Sequence, residues 1–180
     1  GFHGQISVGH IFCFGRDLTF EANLALARKT RLWREKKGKI VGVDLAGPES
    51  LNPLSDPRKL EEMKIAFDEA GAGLGRTVHV GETNHVDVQT FVKTIEALAP
   101  TRVGHPIAAV RALWEKRDDR GLKLLKERGI VCELCVKSNL LTGAVRSLEE
   151  YGRVINTLDE YEIDYTFSTD APSLQGTSLA

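Results

Sequence analysis

The chain has 180 residues, 42% hydrophobic and 27% charged, with a formal net charge of -1 at pH 7. That balance suits one packed core and excludes a disordered or fibrous chain. With no basic stripe it disfavours nucleic acid or an anionic membrane as main partner, and no apolar run approaches the ~20 residues that span a bilayer. Three cysteines, an odd number, fit a reducing compartment better than a disulfide framework, so a cytoplasmic protein is the expectation.

The apolar stretch 5–14 reads as a buried strand. A helix follows over 19–37 and is closed by Gly38, which suits the left-handed residue after a helix. Residues 39–46 form a short β-branched strand ending in Asp44-Leu45-Ala46-Gly47. Asp56-Pro57 starts the next helix, a side-chain cap followed by a preset first-turn proline, and Leu60, Met63, Ala66 and Ala70 fall near one face of it. The unit then repeats. Residues 77–80 are a strand, and Asn84 caps a helix carrying Val88, Phe91, Val92 and Ile95 at helical spacing. Residues 102–105 are a strand, followed by helical sequence to Leu113 and again over 122–128. Gly129 ends that helix and 130–136 make the fifth strand. Ser147-Leu148-Glu149-Glu150 is a capping box opening a helix to about residue 160, and 163–168 form the last strand.

Six strands alternating with helices imply an α/β fold with parallel strands and helical crossovers. An open doubly wound sheet and a closed barrel both fit that rhythm. No Gly-rich phosphate loop follows the first strand, which weakens a dinucleotide-binding version. No linker or internal boundary is visible, so 1–180 reads as one domain.

Reactive residues gather at strand ends: Asp44 and Gly47, then His79 and Glu82, His105, Ser138 and Asn139, and Asp170. Singly, each has an ordinary structural explanation. His79 suits a core histidine, Glu82 a helix-start carboxylate, His105 a turn between Gly104 and Pro106, and Asp170 a turn-forming aspartate. In a barrel, however, all these ends meet on one face, where active sites are assembled. Two histidines and two carboxylates there suit a divalent metal plus an acid/base group, and zinc accepts both donor types. Cys132 and Cys135 have a C-x-x-C spacing inside a strand pattern. Residues three apart on a strand face opposite sides, so core packing is expected rather than a metal or disulfide. His3, His10 and His85, the last opening a helix, read as solvated or structural, and the basic stretch 31–39 as a solvated helix end.

At this point five segments resemble the adenosine and adenine deaminases of the amidohydrolase superfamily: Val43-Asp44-Leu45-Ala46-Gly47-Pro48-Glu49, Val78-His79-Val80-Gly81-Glu82, Arg102-Val103-Gly104-His105, Glu133-Leu134-Cys135-Val136-Lys137-Ser138-Asn139 and Ser168-Thr169-Asp170-Ala171-Pro172. The resemblance implies an incomplete (β/α)8 TIM-type barrel with parallel strands, from about the third strand to the eighth, against the ~250 residues typical of the fold. It implies zinc as cofactor and hydrolytic deamination of a 6-aminopurine, with release of ammonia. His79 resembles a metal-binding histidine, Glu82 the acid that protonates a purine ring nitrogen, and His105 the histidine that orients the metal-bound hydroxide. Asp170 resembles a metal-ligating aspartate that also touches that hydroxide, and Gly47 a glycine whose N–H faces the purine.

Two features depart from the family pattern. The His-x-His metal pair of the family's first strand does not occur in this sequence, and Ala171 stands where a second aspartate is usual. The first implies a fragment or a non-catalytic remnant. The second leaves room for a related aminopurine, or for another cyclic amidine. Open barrel edges also predict self-association.

Overall fold

Among the residues that the computed structural model describes, 8–170 and 176, six strands alternate with seven helices. In chain order they are β1 (His10–Gly15), α1 (Phe20–Lys37), β2 (Ile40–Ala46), α2 (Pro57–Ala70), β3 (Gly75–His79), α3 (Val88–Leu98), β4 (Arg102–Gly104), α4 (Ile107–Lys116), α5 (Arg120–Glu127), β5 (Val131–Leu134), α6 (Val136–Leu141), α7 (Leu148–Glu160) and β6 (Tyr165–Phe167). Every strand pairs in parallel with its sequence neighbour, and the sheet order is β1-β2-β3-β4-β5-β6. A doubly wound sheet reverses its order at a switch point. A strictly sequential parallel sheet is the winding of a (β/α)8 barrel, here with six strands.

Side chains alternate across each strand, and the two faces of this sheet differ sharply. One face carries Val43, Leu45, Val78, Val103, Cys132 and Leu134, all fully buried. They join a single hydrophobic cluster with Phe67, Phe91, Ile95, Leu122 and Val154 from the helices. Each such large side chain contributes about 1.5–3 kcal/mol by leaving water. The alternate positions carry the polar residues Asp44, Thr77, His79, Arg102, Glu133 and Thr166. On that face the register aligns His79, Gly104, Glu133 and Thr166 across four strands. Arg102 bonds Glu133 through Nε and donates to Thr166 Oγ1 at 2.9 Å through Nη2.

Helix ends follow local chemistry. Thr19 and Asp56 accept from Ala22 N and Arg58 N, and Gly38 closes α1 in the left-handed conformation. Ser147 accepts from Glu150 N, but the Glu150 carboxylate reaches Arg146 N rather than that of Ser147.

Four further sequence expectations need correction. Residues 5–7 of the expected strand 5–14 lie outside the described residues, and the rest is not a buried strand. It is described as strand only from His10, and as an edge it leaves Ile11 55% exposed. Asn84 does not cap α3 and His85 does not open it. Both are exposed in a loop where Val86 N donates to Thr83 O, and Asp87 caps the helix by accepting from Thr90 N at 2.8 Å. Residues 135–136 leave the strand to start α6, a short helix the apolar run concealed. The basic end of α1 is not merely solvated, because Arg31 pairs with Glu69 at 3.0 Å. No described helix is long and apolar enough to cross a membrane.

Candidate active site

The C-terminal ends of the strands surround a cleft of about 380 Å³ lined by Gly47, Glu49, His79, Glu82, Thr83, His105, Ser138, Thr142 and Asp170, among others. All five residues singled out from the sequence, Gly47, His79, Glu82, His105 and Asp170, therefore share one cavity. His3 and Ala171 lie outside the described residues.

His79 ends β3 and projects from its polar face. Its Nδ1 lies 3.0 Å from Asp44 Oδ1 on the adjacent strand β2, whose register partner is Thr77, two residues before His79. Burial alone lowers the pKa of this imidazole, but the hydrogen bond and charge of Asp44, with Glu133 and Asp170 behind it, outweigh burial and leave it raised. The ring lies so close to Gly104 on the adjacent strand that a β-carbon there would sit 2.7 Å from His79 Cδ2. Glycine at 104 is thus a packing requirement for the histidine beside it.

His105 follows β4 with its ring 5.3 Å from that of His79. It is 2% exposed, and burial lowers its pKa against the opposing pull of Glu82. His105 Nδ1 meets Asn139 Nδ2 at 2.8 Å, and Tyr151 OH lies 3.4 Å from Asn139 Oδ1. Both His105 and Asp170 have positive φ, 60° and 58°, unusual for residues with a β-carbon. Such backbone costs about 1–3 kcal/mol and persists where surrounding structure over-determines it. Donor atoms of His79, His105 and Asp170 all lie within 4.8 Å of one another, a spacing compatible with a shared cation.

Glu82 presents its two carboxyl oxygens unequally. Oε1 accepts from Thr142 Oγ1 at 3.0 Å, Asn139 Nδ2 at 3.3 Å and Ser138 Oγ at 3.5 Å. The loop carrying Glu82 is itself held from β1 and the β2–α2 connection. Buried Glu49 accepts from Gly81 N at 2.6 Å and Thr83 N at 2.8 Å. Buried Arg16 donates to His79 O and Asn52 O, each at 2.9 Å, and burial lowers its pKa against the charges of Glu49 and Asp44. Gly47, with φ 105°, turns the chain where a β-carbon would stand 3.3 Å from Arg16 N.

Sequence reasoning missed Arg16, Thr142 and Tyr151, and it attached no role to Glu49 or Asn139. The available signal was positional: Arg16 follows a strand, and Glu49 closes the segment that begins at Val43. Cys132 and Cys135 form no disulfide, as expected, but they do not share a strand: Cys132 packs in the core from β5 and Cys135 precedes α6. Both thiols are free and buried, and burial pushes each up to about 12, with Glu133 adding at Cys132 and Asp170 at Cys135.

Residues 5–180 match the family described as Adenosine deaminase. The chain is 34% identical over 178 residues to an adenosine deaminase of Clostridium kluyveri, covering 98% of this chain and 46% of that protein. It is 34% identical over 147 residues to an aminodeoxyfutalosine deaminase of Acidothermus cellulolyticus, covering 78% of this chain and 37% of that protein. Among solved structures it superposes on Arabidopsis ADAL complexed with IMP with a TM-score of 0.74 at 22% identity, covering 94% of this chain and 44% of that one. The adenine deaminase of Arthrobacter aurescens gives a TM-score of 0.74 at 20% identity, covering 94% and 46%. These two likenesses concern the fold. The chain spans less than half the length of the relatives it matches.

Proposed function

The chain belongs to the adenosine deaminase family, and from that premise we propose that its full-length parent removes the amino group of a 6-aminopurine base or nucleoside hydrolytically, with zinc. The observation that carries this reading is the convergence of His79, Glu82, His105 and Asp170 on one cleft. Imidazole nitrogen and carboxylate oxygen are a donor set zinc accepts, and His79 has the carboxylate behind its ring that metal-binding histidines typically have. His79 and Asp170 would hold the ion. A zinc ion, when bound, supplies a nucleophile at neutral pH by lowering the pKa of its water from about 15.7 to about 7.

The remaining steps fall to this chain's own side chains. Addition of water at the amine-bearing ring carbon requires the neighbouring ring nitrogen to take a proton, and Glu82 delivers it. With Oε1 held by Thr142, Asn139 and Ser138, Oε2 has no hydrogen-bond partner among the described residues and is the oxygen placed to carry that proton. His105 hydrogen-bonds the attacking oxygen, and Gly47 offers its backbone N–H to the purine. The proton that water loses on adding restores Glu82, the new hydroxyl passes its proton to the amino group, and ammonia leaves as the ring carbon becomes a carbonyl.

The 180 residues contain no His-x-His pair, so turnover is assigned to the longer protein. The test is ammonia release by the full-length parent from adenosine, adenine and aminodeoxyfutalosine, with and without a chelator. Release from at least one, abolished by chelation, is expected. No release from any member of the panel contradicts the reading.

A further inference from the structure

Hydrogen-bond partners around the two histidines fix where each ring carries its proton. His79 Nδ1 faces Asp44 Oδ1 at 3.0 Å. A carboxylate oxygen accepts and has no hydrogen to give, so in the neutral ring the hydrogen sits on Nδ1 and Nε2 keeps its lone pair. His105 Nδ1 faces the side-chain amide of Asn139 at 2.8 Å. An amide can present either its oxygen or its nitrogen to a partner, and its other contacts decide which.

The atom bonded to His105 is also 3.3 Å from Glu82 Oε1, a carboxyl oxygen that Thr142 also approaches as donor. Turning the amide over would set oxygen against oxygen there. In the described orientation both amide hydrogens are used, one going to His105 Nδ1 and the other to Glu82 Oε1, while Oδ1 accepts from Tyr151 OH at 3.4 Å. Asn139 is 0% exposed and Tyr151 2%, so solvent offers neither an alternative partner. His105 Nδ1 is therefore an acceptor, and the hydrogen of the neutral ring lies on Nε2.

We propose that Asn139, oriented by Glu82 and Tyr151, is a positioning residue that holds His105 as its Nε2–H tautomer, opposite to the Nδ1–H tautomer that Asp44 imposes on His79. Adjacent imidazoles then offer unlike groups. The free nitrogen of His79 is a lone pair fit for a cation, and that of His105 is a hydrogen-bond donor. The close triangle of His79, His105 and Asp170 is consequently not a three-ligand metal site, because His105 has no lone pair to contribute. The roles toward metal and purine rest on the deaminase reading above. The tautomers do not.

Magic-angle-spinning 15N NMR of the histidine-labelled, metal-free chain reads them directly, and chain association does not obstruct it. At a pH above the titration of both rings, His105 is expected to show a protonated Nε2 and a bare Nδ1, and His79 the reverse. A protonated Nδ1 on His105 overturns the proposal. Asn139→Asp replaces the amide by an acceptor and is expected to move the His105 hydrogen to Nδ1. Asn139→Leu removes the amide altogether and is expected to give a mixture of tautomers. An unchanged His105 signal in either folded variant overturns the role of Asn139, and the wild-type spectrum decides the tautomer if neither folds. Loss of the deaminase reading through the substrate panel would leave these spectra as they are.

Discussion

The two faces of the sheet are built from alternate residues of the same strands and do opposite work. Val78 and Leu134 point into the helix-covered core and are fully buried, while His79 and Glu133, their immediate neighbours, belong to a polar row linked across four strands. On the first face the requirement is volume and apolarity, and any well-packed set of such residues satisfies it. On the second, single atoms matter: Asp44 Oδ1 on His79, Asn139 Nδ2 on His105, three donors on one oxygen of Glu82. The comparison predicts that stability and chemistry can be damaged separately.

The largest effect is expected on the polar face. Glu82→Gln in the full-length parent keeps the shape and removes the ionisable proton carrier, so kcat should fall about 10²–10⁴-fold. The melting temperature should stay close to that of the parent protein. Loss of both together would erase the distinction between the faces. The complementary change is Leu134→Ala, on the same strand as Glu133. It opens a cavity in the core and should cost about 2–5 kcal/mol in urea unfolding. Thr166→Ala, on the polar side and exposed, should cost no more than about 0.5 kcal/mol.

How much of this was readable in advance follows from the same contrast. The strands and the residues at their ends were legible because alternating β-branched runs and caps are local signals, and a parallel α/β winding brings strand ends together. His79, Glu82, His105 and Asp170 were found that way. What supports them was not. Glu49 reaches Gly81 across 32 positions and Asn139 reaches Glu82 across 57, and no periodicity within a window reports such contacts. The misplaced cap at Asn84 has the same origin. Asn84 and Asp87 are both good capping residues, and it is Glu49, bonded to Gly81 and Thr83, that holds the loop so that the helix begins only after Asp87. The exposure along β1 was not legible in the run itself, since an apolar stretch looks alike whether a sheet or solvent lies beside it; only the resemblance to part of a barrel implied an open edge.

A smaller effect is expected at Asp44. Asp44→Asn retains a hydrogen-bonding group and removes the charge behind His79. Loss of such a supporting carboxylate should weaken zinc binding by the full-length parent about 10–100-fold in a competition titration. Unchanged affinity would assign Asp44 to the fold alone.

The smallest is a pH dependence of the metal-free chain. His79 has a raised folded pKa, so its contribution to stability is complete below the ordinary histidine value of about 6.5 and is lost as pH rises through the folded value. His105 has a lowered one, so its contribution is complete above about 6.5 and is lost as pH falls toward the folded value. Urea midpoints followed across the neutral range should fall on the alkaline side in the wild-type chain and flatten there in Asp44→Asn. A wild-type alkaline limb that survives the substitution would separate His79 from it.

The central claim is that the polar face of this sheet holds a catalytic metal through His79 and Asp170 while His105 stands beside it as a donor. Anomalous diffraction at the zinc edge from crystals of the full-length parent tests this most directly. The account predicts a single peak bonded to a His79 nitrogen and an Asp170 oxygen, with His105 outside the coordination sphere. A peak bonded to His105, or no zinc in this cleft in an active preparation, would contradict it.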